Sequence, residues 1–248
     1  MSQKFFVVSE ARADFITATE LADRVLLAEI AWLDDALIES QRQWVGEDSP
    51  GSHLAWTTVA YRAREIGIRV QGHFNGEPGF PDARAARRAI LYVLSQFDGV
   101  AAILLIRDLD DQDERRQGLE QARFADKSGT RIVIGVASVE RECWVICGFD
   151  PEDEKEKQRL GEEHQKLGAN PCLRSHELTA SKSDIALRSP KRVLKFLTGD
   201  NWERQRRCWN STSLQVLKDR GGENGLADYL DEIKAHLAPV ISGHEVVG

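Results

Sequence analysis

Apolar positions in this chain come either in short unbroken runs or at helical spacing, and the two patterns take turns. Phe5, Phe6, Val7 and Val8 form a continuous run with two β-branched residues, which predicts a strand covered on both faces, as in a parallel sheet. Phe15, Leu21, Ala22, Val25, Leu26 and Ile30 then recur at helical spacing through about Asp34, and the helix can extend to near Trp44. Turn formers between Glu47 and Ser52 break the pattern. A shorter helix over 60–66 and a strand over 68–70 follow, with Gly67 as the stop between them. Residues 72–81, with Asn75-Gly76 and two prolines, read as a loop, and Asp82 as the cap of a helix over 83–97.

Residues 100–106 are the strongest strand signal, and the run stops abruptly at the acidic stretch 107–113. A helix over 113–127 and a second buried strand over 131–137 complete an alternation that builds a parallel α/β sheet flanked by helices. Beyond Glu140 the pattern is helical only, over 140–149, 153–167, 191–197, 202–217 and 226–237. The expected organisation is therefore an α/β core over 1–138 and an α-helical C-terminal extension over 139–248 packed on it.

Composition narrows the function classes. At 248 residues the chain can bury a full core. No stretch approaches the roughly 20 apolar residues of a bilayer span, so no membrane association and a cytoplasmic location are expected. Cys143, Cys147, Cys172 and Cys208 lack paired CxxC spacing and read as buried thiols rather than zinc ligands. A net charge of −7 argues against coating duplex DNA by bulk electrostatics. The charge is uneven, however: residues 182–220 hold ten Lys/Arg against four Asp/Glu, which suits either a solvated helical surface or contact with a polyanion.

In an open parallel sheet, functional residues gather beyond the carboxyl ends of the strands. Glu10 lies just past the first expected strand; Asp108 and Asp110 lie just past the strongest. If those strands are neighbours, three carboxylates meet at one edge. Like charges raise one another's pKa, and a hard divalent cation with oxygen ligands resolves that repulsion. Residues two apart leaving a strand point the same way, so Asp108 and Asp110 can grip one ion while Leu109 turns inward. The plainer account is that a post-strand Glu is a surface residue and that Asp-rich turns favour the next helix N-terminus. No histidine has a convincing partner for His-metal or Ser-His-Asp chemistry.

The strand followed by Glu10, Ala11 and Asp14 resembles the strand-Glu-Gly-x-x-Asp entry of Toprim domains, and Asp108-Leu109-Asp110 resembles their DxD motif. Residues 139–149, with Glu142 and Trp144, and residues 189–195, with Pro190 and Lys191, are similar to patches of the DUF4276 proteins, a Toprim-like group related to the overcoming-lysogenization-defect nucleases. Ala11 departs from the usual glycine, which bears on how closely the backbone can approach a metal or phosphate.

That resemblance implies a Toprim-like sheet and a metal-dependent nuclease, with DNA ahead of RNA as substrate, in a bacterial anti-phage system. Asp108 and Asp110 would hold Mg2+ or Mn2+, and Glu10 would complete the shell or handle a proton. Asp14 would be a second-shell or second-metal ligand, or simply an acid in a first helical turn. Glu140 and Glu142 also follow a strand end and would bind a second ion or cap the helix, with Glu142 favoured by the family pattern. Lys191 and Arg192 would contact phosphates, while Trp144 fits the core better than a stacking platform. The chain has no GxxxxGK[ST] motif, so ATP hydrolysis would come from a partner ATPase. The helical extension would suit that partner or a homodimer. A scaffold that binds a nucleic acid or a protein without catalysis is the alternative.

Overall fold

The first apolar run forms β1 (Gln3–Ser9), and Phe5, Phe6, Val7 and Val8 have no exposed surface, as a strand covered on both faces demands. The computed structural model describes residues 2–48, 50–110 and 112–243. From β1 the chain enters α1 (Arg12–Glu29), whose apolar stripe of Leu21, Ala22 and Leu26 is fully buried. The helix does not run on towards Trp44. A single turn, α2 (Ile38–Gln41), leads into β2 (Arg42–Val45), which lies parallel to the first half of β1, with Gln3 opposite Arg42 and Phe6 opposite Val45. A two-residue strand, β3 (Leu54–Ala55), pairs with the end of β1.

The helix expected over 60–66 is α3 (Trp56–Glu65), and residues 68–70 form no strand. The stretch expected to be a loop contains a small antiparallel hairpin, β4 (His73–Phe74) and β5 (Glu77–Pro78), turning at Asn75-Gly76. Next come α4 (Ala83–Gln96), β6 (Val100–Asp108), α5 (Arg115–Phe124) and β7 (Arg131–Ala137). The sheet order is β2-β1-β6-β7, with β3 also on β1. β6 runs parallel to β1, Val8 facing Leu105, so the carboxyl ends of these two strands are neighbours. Beyond β7 the described residues form helices and turns: α6 (Arg141–Cys147), α7 (Glu154–Leu167), a 3-10 turn at Ser175–Glu177, α8 (Pro190–Thr198), α9 (Trp202–Asn210), α10 (Leu214–Arg220) and α11 (Leu226–Glu232). A π-helical turn at Ile233–Leu237 then leads into α12 (Ala238–Ser242). The single helix expected over 202–217 is two, because the chain breaks at Ser211 and Ser213 recaps it by accepting the Val216 N–H. No helix among the described residues is long and apolar enough to cross a membrane.

The chain falls into two compact units, one of residues 1–107, 112–135 and 231–248, the other of 108–111 and 136–230. In the first, the C-terminal segment is tied to the sheet by Glu232, which takes the Arg123 guanidinium at 2.7 Å and the Ile134 N–H at 3.1 Å. In the second, the core centres on Trp144, which stacks on Tyr229 at 5.1 Å and donates its indole N–H to the Asn224 carbonyl. Trp144 is thus a core residue.

One glycine reports how tightly the first unit is packed. A Cβ on Gly118 of α5 would sit 1.8 Å from the Pro81 carbonyl oxygen and 2.9 Å from the Ala83 nitrogen, where α4 begins. Gly118→Ala gains about 1 kcal/mol of helix propensity but overpacks against backbone that has no rotamer to yield. A net loss of about 1–3 kcal/mol is expected, read as a lower urea midpoint with an unchanged slope.

Candidate functional site

Parallel pairing of β1 with β6 places two acidic strand exits at one end of the sheet. In the first unit, Glu10 meets the Arg107 guanidinium at 3.1 Å. Arg107 also holds Asp82 at 2.9 Å and lies over the Trp56 ring, whose indole N–H donates to the Ile106 carbonyl. Asp82, expected as a helix cap, has a left-handed backbone and makes no cap bond; its carboxylate instead joins Arg107 to Arg115. Two cations 25 and 33 positions along outbid the local amide, because a charge-assisted pair is stronger than a neutral cap bond. Asp14 is buried and accepts the Ala11 N–H at 2.8 Å, which is how an acid at the third position of a helix satisfies an orphan amide.

The second unit gathers the remaining acids. Asp108 is half-buried, and its Oδ1 accepts the Arg141 N–H at 2.9 Å, serving the first turn of α6. Leu109 N–H donates to the Ala137 carbonyl and Asp110 N–H to the Val139 carbonyl. Asp110 and Val139 are both left-handed, at φ 50° and 70°, so strand alternation does not carry through to Asp110. For a β-branched residue such as Val139 that conformation costs about 1–3 kcal/mol, and strain of this kind concentrates at functional positions.

Immediately after Val139 stands Glu140, only 4% exposed. Its Oε1 takes the Lys191 ammonium at 2.8 Å, while its Oε2 is buried without a hydrogen-bond partner among the described residues. Burial raises the Glu140 carboxyl above its ordinary value; Lys191 opposes this without cancelling it, and Glu142 and Asp110 push the same way as burial. Lys191 in turn is raised by its bond to Glu140. Glu142, the residue favoured from sequence, is matched by Arg141 at 2.9 Å. Arg192, expected on phosphates, is committed to Glu163, a carboxylate with no exposed surface, at 2.5 and 3.0 Å. Lys191 is therefore the half-exposed cation beside the acids. A cavity of about 590 Å3 opens next to it, lined by Glu142, Lys191, Leu194, Lys195, Asp200 and Gln205.

The four cysteines are buried and free. Burial pushes the Cys147 and Cys208 thiols up to about 12, so neither is a ready nucleophile or metal ligand. Among the described residues, no three His, Cys, Asp or Glu side chains are grouped so as to hold a metal ion. A scan of protein-family models and searches of curated proteins and of solved structures find no match to this chain.

Sequence reasoning underrated Glu140. Its place directly after a buried strand was a signal, but its burial and its cation partner 51 positions away were not visible locally.

Proposed function

We propose that this chain is a divalent-metal-dependent nuclease that hydrolyses a phosphodiester of a nucleic acid, DNA ahead of RNA, using the acids of the second unit. The observation that carries this reading is Glu140: a buried carboxylate with one oxygen unpartnered among the described residues, raised first by burial and then by Glu142 and Asp110. An orphaned anionic oxygen inside a protein is costly, and a hard cation removes that cost. Glu140 and Asp110 would hold Mg2+ or Mn2+, with Asp108 and Glu142 close by, since no three such side chains among the described residues are grouped around one ion. Mg2+ commonly keeps several waters and takes only one or two protein carboxylates, substrate phosphates filling other positions, so a small donor set fits it. Bound there, the ion would supply Lewis-acid stabilisation of charge on the phosphoryl oxygens. Lys191 would offer its ammonium to a phosphate oxygen, and Glu140 would hold that ammonium in place until the substrate arrives. Glu10 already has Arg107 as its counter-charge and is left outside this donor set.

A second reading, a nucleic-acid- or protein-binding scaffold without catalysis, is favoured by the partners these acids already have: Arg141 N–H for Asp108, Lys191 for Glu140 and Arg141 for Glu142. Plasmid and RNA incubated with Mg2+ or Mn2+ separate the two. Cleavage by the wild type that Asp108→Ala abolishes supports the nuclease. Equal cleavage by both proteins, or none by either, removes it, and a Mn2+ titration insensitive to Asp110→Asn leaves the scaffold.

A further inference from the structure

The first unit carries a cationic patch that the acidic site does not use. Three arginines crowd the first two turns of α4: Arg84, Arg87 and Arg88. At spacings of three and four they share one face of the helix, where like charges repel and stabilise nothing. The loop before the hairpin brings more charge to the same place. Arg69, His73 and Arg87 line one concavity of about 250 Å3 with Asn75 and Leu91, and the Arg84 side chain lies over this loop, its Cδ 3.8 Å from where a Cβ on Gly72 would be.

Two nearby acids are already committed. Asp126 takes Arg87 at 2.8 Å, and Asp82 is held by Arg107 and Arg115. Glu77, the one acid on the hairpin, is exposed and makes no ion pair among the described residues. Arg69, Arg84 and Arg88 have no carboxylate partner among those residues, and Arg69 and Arg84 are exposed. In a chain of net charge −7, most arginines find acids; Arg69, which lines the concavity, and Arg84, which lies over its loop, do not, and both are open to an external anion. Guanidinium groups on a helix and on the loop before the hairpin suit successive phosphates of a backbone rather than one compact ion.

We propose, resting on the nucleic-acid reading above for the identity of the anion, that Arg69, Arg84, Arg87 and Arg88 with His73 form a docking surface for a phosphodiester backbone. It positions nucleic acid without reading its sequence, since guanidinium-phosphate contacts carry none. Binding therefore requires no metal, and its test is independent of cleavage.

Labelled duplex and single-stranded DNA oligonucleotides are titrated with the full chain in EDTA over a range of salt concentrations. Wild-type protein binds, and log K falls steeply with log salt. The triple substitution Arg69→Gln, Arg84→Gln, Arg88→Gln weakens binding about tenfold or more, and it reduces the duplex salt slope by roughly 2 to 3, close to one per lost phosphate contact. Arg→Lys at the same positions keeps the slope, because it keeps the charges. A control triple, Lys155→Gln, Lys157→Gln, Lys234→Gln, removes as much charge elsewhere and leaves affinity near wild type. No binding by the wild type, an unchanged slope in the Arg→Gln protein, or an equal loss in the control overturns the proposal. Binding that is lost with the patch while no metal supports cleavage keeps the docking surface and removes only the nuclease.

Discussion

Arg204→Met is expected to destabilise the protein by about 3–5 kcal/mol, because it strands a buried anion. Arg204 is 4% exposed and Glu156 6%. The guanidinium donates to both Glu156 oxygens at 2.8 Å, to the Asp150 carbonyl at 2.6 Å, and lies 4.4 Å from the Phe149 ring centroid. Methionine replaces the aliphatic stem but none of the donors, so among the described residues Glu156 keeps the Glu152 N–H and a looser contact with Arg159. The loss depends on pH, with a sign that can be worked out. Burial by itself raises the Glu156 carboxyl; Arg204 and the Glu152 N–H outweigh burial and hold it below its ordinary 4.5. A depressed folded pKa gives stability that is present above the unfolded value and is lost as pH falls through the folded one. Without Arg204 the same carboxyl rises, and its contribution reverses: present in acid, lost as pH climbs. Urea denaturation at neutral pH and near pH 4 is therefore expected to show the largest gap between wild type and variant at neutral pH, shrinking in acid. A gap that is constant with pH would mean that lost packing, not the stranded charge, carries the effect.

That pair was invisible in the sequence for a physical reason, and the same reason marks most of what was not legible there. The buried strands were readable because a continuous apolar run needs no partner to declare itself: Phe5 to Val8, 100–106 and 131–137 all form strands. β2 was not. Its Arg-Gln-Trp-Val sequence buries only Trp44, as an edge strand allows, and its polar positions fit the preceding helical spacing equally well. Local sequence also gave no way to choose among possible charge partners. Glu10 and Arg107, Asp82 and Arg115, Glu163 and Arg192, Glu156 and Arg204 are 97, 33, 29 and 48 positions apart. Which acid stays available for a ligand depends on which cation folds back onto it. Hence Arg192 read as a phosphate contact and is a structural anchor, while Glu140 read as the lesser of two acids and is the one left with a lone oxygen. The carboxyl-end placement of Asp108 survived this uncertainty because it follows from topology alone.

Lys191→Met turns that lone oxygen into a measurement. The ammonium lies 2.8 Å from Glu140, whose other oxygen has no partner among the described residues. Removing it leaves a buried carboxylate without counter-charge at neutral pH, at a cost of about 1–3 kcal/mol. The lower half of that range is expected, since the lysine side chain is 45% exposed and water screens its charge. A protein that uses these acids for a divalent cation has a second way to neutralise Glu140, and the variant exposes it. Metal that binds only the folded state stabilises by RT ln(1 + [L]/Kd), about 2.7 kcal/mol at a hundredfold excess over Kd. Mn2+ should therefore raise the Tm of Lys191→Met by more than it raises that of the wild type, because both Glu140 oxygens then face the ion without a competing ammonium. Adding Asp110→Asn should remove most of that extra rise. In a catalytically silent scaffold the same titration leaves both melting curves where they began, and the variant stays destabilised at every Mn2+ concentration. Acid offers an internal check: below the unfolded carboxyl pKa, Glu140 is protonated with or without Lys191, so the penalty for losing the lysine should fade, and the advantage conferred by Mn2+ with it.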